Sequence, residues 1–360
     1  MECANCKKPG KFACAQCEEC PVTEGDSPIV HYCSAKCQKD DDVKHLPTCQ
    51  RLQDRLTLYR VGRIAQKLFF IYKEITWSQL KIDAIEKRGQ LVTLRGLKFE
   101  DSTWPEDYKI FPSHLVSSEE EREALLCYRA CREALSWVIE FVDGFLKSDN
   151  LPMPVLTITN PDIDIATKME HVDLCTKNDK QIMILVPPGV NMTIIGGPTH
   201  EIIKVTLRSG EEFAIDITAP QYGCSDIVVP WKLYEGQRVL QVVSKVPAPR
   251  SIGLLQYEDY TIHAMIRAYQ LMQSKTRQNK SVDGDTISAM NFHFLEWQTD
   301  EGQGLKTMVK LSNTRFERKM TDLVNFMHWK FNSVPDQIWG TVNGKKQAQT
   351  LRNGKWVHRK

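Results

Sequence analysis

The first 49 residues constrain this chain more than any other stretch. They hold eight potential metal ligands in four close pairs: Cys3/Cys6, Cys14/Cys17, Cys33/Cys37 and His45/Cys49. The spacings are C-x2-C, C-x2-C, C-x3-C and H-x3-C, each short enough for one turn to present both donors. A closed structural zinc site takes four such ligands, so four pairs make two sites. Spacing alone leaves open which pairs combine. A stretch this short cannot bury enough apolar surface to fold unaided. Bound metal supplies the missing stability, about 10–16 kcal/mol apparent for a structural zinc. A disulfide framework is the competing reading. Residue 2 is Glu, no apolar leader precedes the pairs, and the remaining sequence shows no matching cysteine density. Metal is therefore the expectation.

The order of these pairs, with Tyr32-Cys33-Ser34-Ala35-Lys36-Cys37-Gln38 and His45-x3-Cys49, resembles a MYND-type zinc finger. The resemblance covers residues 1–49. It implies two zinc ions in a cross-braced order, with Cys3, Cys6, Cys33 and Cys37 on one and Cys14, Cys17, His45 and Cys49 on the other. It also implies a docking module for a protein or peptide partner, often a proline-containing segment. Two positions depart from the pattern. Asp42 stands where the family has a Trp before the His, which bears on family-typical peptides. Cys17 and Cys20 form a second, overlapping C-x2-C. Phe12-x-Cys14-x-x-Cys17 matches the family's approach to the pair, so Cys20 is read as a spare thiol in a long insertion, residues 18–31. The wider layout resembles fungal MYND-containing proteins, which implies no biochemical activity.

Eight of twelve cysteines lie in the finger; the others are Cys127, Cys131, Cys175 and Cys224. This usage fits a reducing compartment, and a cytoplasmic or nuclear protein is expected. No run approaches the ~20 apolar residues that span a bilayer, so no membrane partner is expected. A net charge of +2 favours no acidic partner, and a 42% apolar content allows a sizeable core beyond the finger.

Local patterns predict an α+β chain: a small finger, then a mixed helical and mostly antiparallel β body. Residues 50–77 carry a helical apolar stripe from Leu52 to Ile75. A hairpin is expected across 79–99, turning at Lys87-Arg88-Gly89. After a loop at 100–117, Ser118-x-x-Glu121 is a capping box. It opens a long helix whose apolar face runs from Leu125 through Tyr128, Ala134 and Leu135 to Phe145. Five β-branched strands are expected near 155–159, 182–186, 202–207, 213–218 and 239–243. Helices follow over 257–278 and 313–332, and the six Lys and Arg of 340–360 read as a frayed, solvated tail. The expected divisions are 1–49 finger, 50–150 helices with a hairpin, 151–250 β-rich, 251–340 helical and 341–360 basic tail.

The β-rich part holds the one catalytic constellation. Ile203, Val205 and Leu207 on one strand and Phe213, Ile215 and Ile217 on the next are odd-numbered and face a core. His200 and Asp216 are even-numbered and share the other face. A carboxylate so placed can orient an imidazole and fix its tautomer. His200, Val205, Gly210, Asp216-Ile217-Thr218 and Gln221 resemble the second half of transglutaminase-like and papain-like folds. That likeness implies a Cys nucleophile upstream at a helix N-terminus. Cys175 is the nearest upstream cysteine, but the turn-like Thr176-Lys177-Asn178-Asp179-Lys180 follows it. Cys127 and Cys131 read as small core hydrophobes inside the long helix. His200 and Asp216 can equally be outward polar residues of an ordinary hairpin.

No phosphate-cradling Gly loop and no SET-type Asn-His-x-Cys run is present. The finger has no basic recognition helix, so nucleic acid is not the expected partner. The residues favour a zinc-binding intracellular interaction protein, an adaptor or regulator. The alternative is a papain- or transglutaminase-like thiol hydrolase or transferase, intact or degenerate, using His200 and Asp216.

Overall fold

The computed structural model describes residues 1–75, 82–96, 111–135, 165–177, 180–186, 194–195, 199–248, 297, 305–332, 337–342, 345–352 and 355–358. The fold is α+β. Its spine is helix α1, Ala35–Ile75, 41 residues long and so about 60 Å from end to end. It was expected to begin after the last ligand of the finger. Instead it begins before Cys37 and carries Cys37, His45 and Cys49. The reason is one continuous stripe. Asp41, His45, Cys49, Leu52 and Leu56 are all buried at three- and four-residue steps, so the ligand face of the finger runs on as the apolar face of the body helix. Pro47 sits inside α1, without an amide to donate to residue 43.

In the finger, β1 (Phe12–Ala13) pairs with β2 (His31–Tyr32). In the body, β3 (Ile82–Arg88) and β4 (Leu91–Gly96) form the expected hairpin, with Gly89 at φ +61° in its turn. Strand β6 (Ile182–Val186) lies parallel to β4, and β7 (Ile194–Ile195) completes a four-stranded sheet. The main sheet is antiparallel in the order β10-β9-β8-β5-β11. Its strands are β5 (Ala166–Thr176), β8 (Thr199–Leu207), β9 (Glu212–Ile215), β10 (Val228–Pro230) and β11 (Val239–Pro247). Strand β5, between β8 and edge strand β11, was not expected. Its Lys168, Glu170, His171 and Asp173 hide the apolar pattern that Met169, Val172 and Leu174 bury.

Both faces of this sheet are covered. Ile203, Val205, Leu207, Phe213, Ile215 and Ile217 join the large core with α1 and helix α2 (Glu119–Cys127). Ile202, Ala214, Val172 and Leu174 form a second core with Trp231 and Tyr234 of a helix, Trp231–Arg238. The α1 backbone comes so close to β10 that a Cβ on Gly62 would lie 2.6 Å from Val228 Cγ2.

Two expectations of local structure are corrected. The long helix from Ser118 ends at Cys127, although Ser118 caps it: the Ser118 hydroxyl accepts from the Glu121 amide, while the Glu121 carboxylate accepts from the Ser117 amide rather than that of Ser118. A new helix, α3, starts at residue 131 and is described to 135. The C-terminal tail is not frayed: β12 (Gln337–Val342), β13 (Lys345–Arg352) and β14 (Lys355–His358) form an antiparallel meander. Its two connections are Asn343-Gly344 and Asn353-Gly354, the dipeptide that two-residue hairpins favour. The last helix, α4 (Asn313–Asn332), stands where expected. The strand expected at 155–159 and the helix at 257–278 lie outside the described residues.

Candidate metal centres and a buried thiol site

The finger gathers its eight ligands into two clusters. Cys3, Cys6, Cys33 and Cys37 form one, and Cys14, Cys17, His45 and Cys49 the other, with donor atoms within 4.8 Å of one another in each. Cys6 and Cys33 sulfurs lie 3.4 Å apart, and Cys17 Sγ lies 3.3 Å from His45 Nε2. A tetrahedral ion with metal–sulfur bonds of about 2.3 Å separates its sulfurs by about 3.8 Å, so each set fits one ion with modest expansion. The interleaving is the one the resemblance implies. Cys20 stays outside both sets; its thiol donates to the Gln16 carbonyl at 3.1 Å. The Tyr32 hydroxyl donates to Asp41 at 3.0 Å, while Asp42 is exposed.

The insertion of the finger is tied to the body by charge. Arg55, fully buried on α1, reaches Asp26 at 2.5 Å and also pairs with Glu211 in the β8–β9 turn. Arg51 lies 3.1 Å from Asp26 and 3.2 Å from Glu211. The Arg55 guanidinium holds the Asp26 carboxyl well below the usual carboxylate range. On another side, Glu19 accepts from the Asn313 amide at 2.7 Å, at the start of α4.

In the body, His200 and Asp216 meet inside the protein rather than at its surface. Register settles this: β8 and β9 pair Ile203 with Ile215, so the even-numbered residues share the face packed by Trp231 and Tyr234. His200 Nε2 lies 2.9 Å from Asp216 Oδ2, and the two residues are 0% and 2% exposed. The Tyr234 hydroxyl donates to the same carboxylate at 2.8 Å. Burial disfavours the imidazolium, but Asp216 and Cys131 outweigh it and raise His200 above its ordinary value. Burial likewise works to raise Asp216, and His200 overcomes it. The ring of Tyr222 meets the imidazole edge-on at 4.9 Å.

The cysteine on this side of the pair is Cys131: the next residue, Arg132, pairs with Glu201, the residue after His200, at 2.8 Å, and the Cys131 thiol acts on His200 electrostatically; neither ring nitrogen of His200 completes a hydrogen bond among the described residues. Cys131 does not lie in the interior of the helix from Ser118, which ends at Cys127. The chain leaves α2 at Tyr128, turns through Arg129 at φ +54°, and re-enters helix with Cys131 as the first residue of α3. The Ala134 amide donates to the Ala130 carbonyl at 2.8 Å, which makes Ala130 the N-cap. Two ion pairs hold α3 in place. Buried Glu133 pairs with buried Lys73 of α1 at 2.7 Å. Arg132 pairs with Glu201 at 2.8 Å, and Glu201 in turn lies 3.2 Å from His171. Acidic neighbours overcome burial and raise His171.

Cys175 does not join the site. It pairs with Thr199 while Leu174 pairs with His200, so it points to the opposite face of the sheet. Fully buried Cys127 donates to the Ile217 carbonyl at 3.7 Å, and burial pushes its thiol far up. No sequence signal marks Cys131, because Tyr128, Cys131 and Ala134 continue the apolar stripe at three-residue steps. Comparison with protein-family models, curated proteins and solved structures finds no match for this chain.

Proposed function

We propose that the body of this chain is a thiol-dependent hydrolase or transferase, carried on a finger that binds two zinc ions. The observation that supports it is the docking of α3, which begins with Cys131, on the strand that carries His200, through the Arg132–Glu201 ion pair at 2.8 Å, with His200 itself 2.9 Å from buried Asp216. A thiol next to an imidazole at a helix start is the arrangement that yields a nucleophilic thiolate. Asp216 then orients the ring and stabilises the imidazolium, as the third member of a triad does. Cys131 is partly exposed while His200 is fully buried, so a substrate can reach the nucleophile and water is kept from the base. Each finger cluster is a closed set of four with no open position, as in structural zinc rather than catalytic zinc.

The test uses the full chain and iodoacetamide near neutral pH, with peptide mass locating the label. Cys131 should react first, and His200→Ala should slow it by about 100-fold. Equal reactivity in His200→Ala, or faster labelling at Cys175, refutes the reading.

A second reading concerns the finger as a docking module for a protein segment, an adaptor's role. Five of the eleven large apolar side chains exposed among the described residues are Met1, Phe12, Val22, Val43 and Leu46, all in the finger. Single exposed apolar groups are ordinary, but this density on so small a unit favours an interaction surface.

A further inference from the structure

On a frayed tail, the cations Lys345, Lys346, Arg352, Lys355, Arg359 and Lys360 would call for nothing but water. The meander of β12, β13 and β14 gives four of them fixed places on a sheet. Residues 337–360 contain no Asp or Glu, and without these six cations the net charge of +2 would be negative. Positive charge is thus gathered on one small sheet of an otherwise net-acidic chain, which is the electrostatic footprint of a polyanion site.

Register sorts the sheet into two faces. Trp339 pairs with Ala348 and Thr341 with Lys346; across the second hairpin, Thr350 pairs with Val357 and Arg352 with Lys355. Directly opposed residues share a face, and so do alternate residues along one strand. One face therefore takes Trp339, Lys346, Arg352 and Lys355, with Thr341 and Thr350 between them. The other takes the apolar Ile338, Val342, Leu351 and Trp356, together with Lys345. Alternation of this kind divides an antiparallel sheet into an apolar and a polar face. Three of the four strand cations fall on the polar one.

Two placements on that face point to a ligand. Arg352 and Lys355 stand directly opposite each other across the Asn353-Gly354 turn. Like charges so placed destabilise a sheet, and a bound anion offsets that repulsion. Lys346 lies at the other end of β13, about 20 Å away along the strand. Cationic positions thus stand at both ends of the face. Between them comes Trp339, and the position across the ladder from it is the small Ala348. Single strands of nucleic acid are held by this combination, a basic track for the phosphates and an aromatic ring on which a base stacks. A duplex keeps its base faces covered, and an acidic peptide has no base to stack.

We propose that this face of the C-terminal meander binds single-stranded nucleic acid, with Trp339 as the stacking platform and Lys346, Arg352 and Lys355 as the phosphate contacts. The site depends neither on the zinc clusters nor on the thiol.

The experiment measures fluorescence anisotropy of an end-labelled oligouridylate of about 12 nucleotides with the zinc-loaded full chain. Three phosphate contacts on a single strand give a slope of log affinity against log salt of about −2. Lys346→Gln and Arg352→Gln should each make that slope shallower by about 0.7, whereas Lys345→Gln, on the other face, should leave it unchanged. Trp339→Ala should weaken binding about tenfold with the slope kept, and Trp339→Phe should recover most of the loss. The oligodeoxyuridylate of the same length separates the two sources: weaker binding assigns RNA, and equal binding assigns single strands of either sugar. No binding at low salt overturns the proposal, as does equal affinity for poly-glutamate or for an adenylate–uridylate duplex. A slope that Lys345→Gln reduces as much as Lys346→Gln makes the charge diffuse and overturns the face. Wild-type affinity in Trp339→Ala, or equal losses in Trp339→Ala and Trp339→Phe, overturns the stacking platform.

Discussion

Arg55 offers the sharpest test of how the finger is mounted on the body. Arg55→Met keeps most of the side-chain volume and removes the charge. Arg55 is fully buried, Asp26 is 5% exposed and Glu211 is 22% exposed. Removing one partner of a buried pair costs about 3–5 kcal/mol, because the other charge is left desolvated. Two features reduce that figure here. Arg51 remains 3.1 Å from Asp26, and the exposure of Glu211 lets water screen it. We expect a loss of about 3 kcal/mol, or roughly 6–12 °C in thermal midpoint. The assay is thermal unfolding of the zinc-loaded full chain across pH. Asp26 is depressed in the folded state, so its contribution is present above the ordinary carboxylate pKa, about 3.9, and is lost as pH falls toward its folded value. The gap between wild type and variant should therefore be full near pH 6 and narrow below about pH 4. Both proteins carry the same thiolate clusters, so acid release of metal cancels in the comparison. A neutral Arg55→Met, or a gap that does not change with pH, refutes the argument that charge rather than volume holds this joint.

Other outcomes follow from the finger and the spine. Metal analysis should find two zinc ions per chain; Cys33→Ser should lose metal and Cys20→Ser should keep both, and loss of an ion in Cys20→Ser would reassign the second cluster. Val43→Asp with Leu46→Asp should keep both ions yet abolish binding of a proline-containing peptide, measured by titration calorimetry on the full chain. Unchanged binding would remove this face from the docking reading. Gly62→Ala should destabilise the body by about 1–3 kcal/mol, because the new Cβ meets Val228 at 2.6 Å. An unchanged unfolding midpoint in denaturant would mean that α1 and β10 part without cost.

What the chain declares by itself is local. Four ligand pairs state two metal clusters, and short gaps make that arithmetic independent of the rest of the fold. The parity of His200 and Asp216 places them on one face, because strand side chains alternate with period two. The N-cap at Ser118 and the stripe of Asn313–Asn332 are equally direct. The Asn-Gly pairs at 343 and 353 were legible too, though charge in the tail obscured them. Tertiary structure decided the rest. Whether the even-numbered face meets water or Tyr234 depends on Trp231–Arg238, far along the chain. The break before Cys131 has no Gly or Pro to announce it. Arg129 holds φ +54° while its amide is accepted by Gln221, 92 residues on, and Glu133 is seized by Lys73, 60 residues back. A helix that local propensity would carry through is stopped there by partners that only the folded chain brings near, and that stop puts Cys131 at the start of α3.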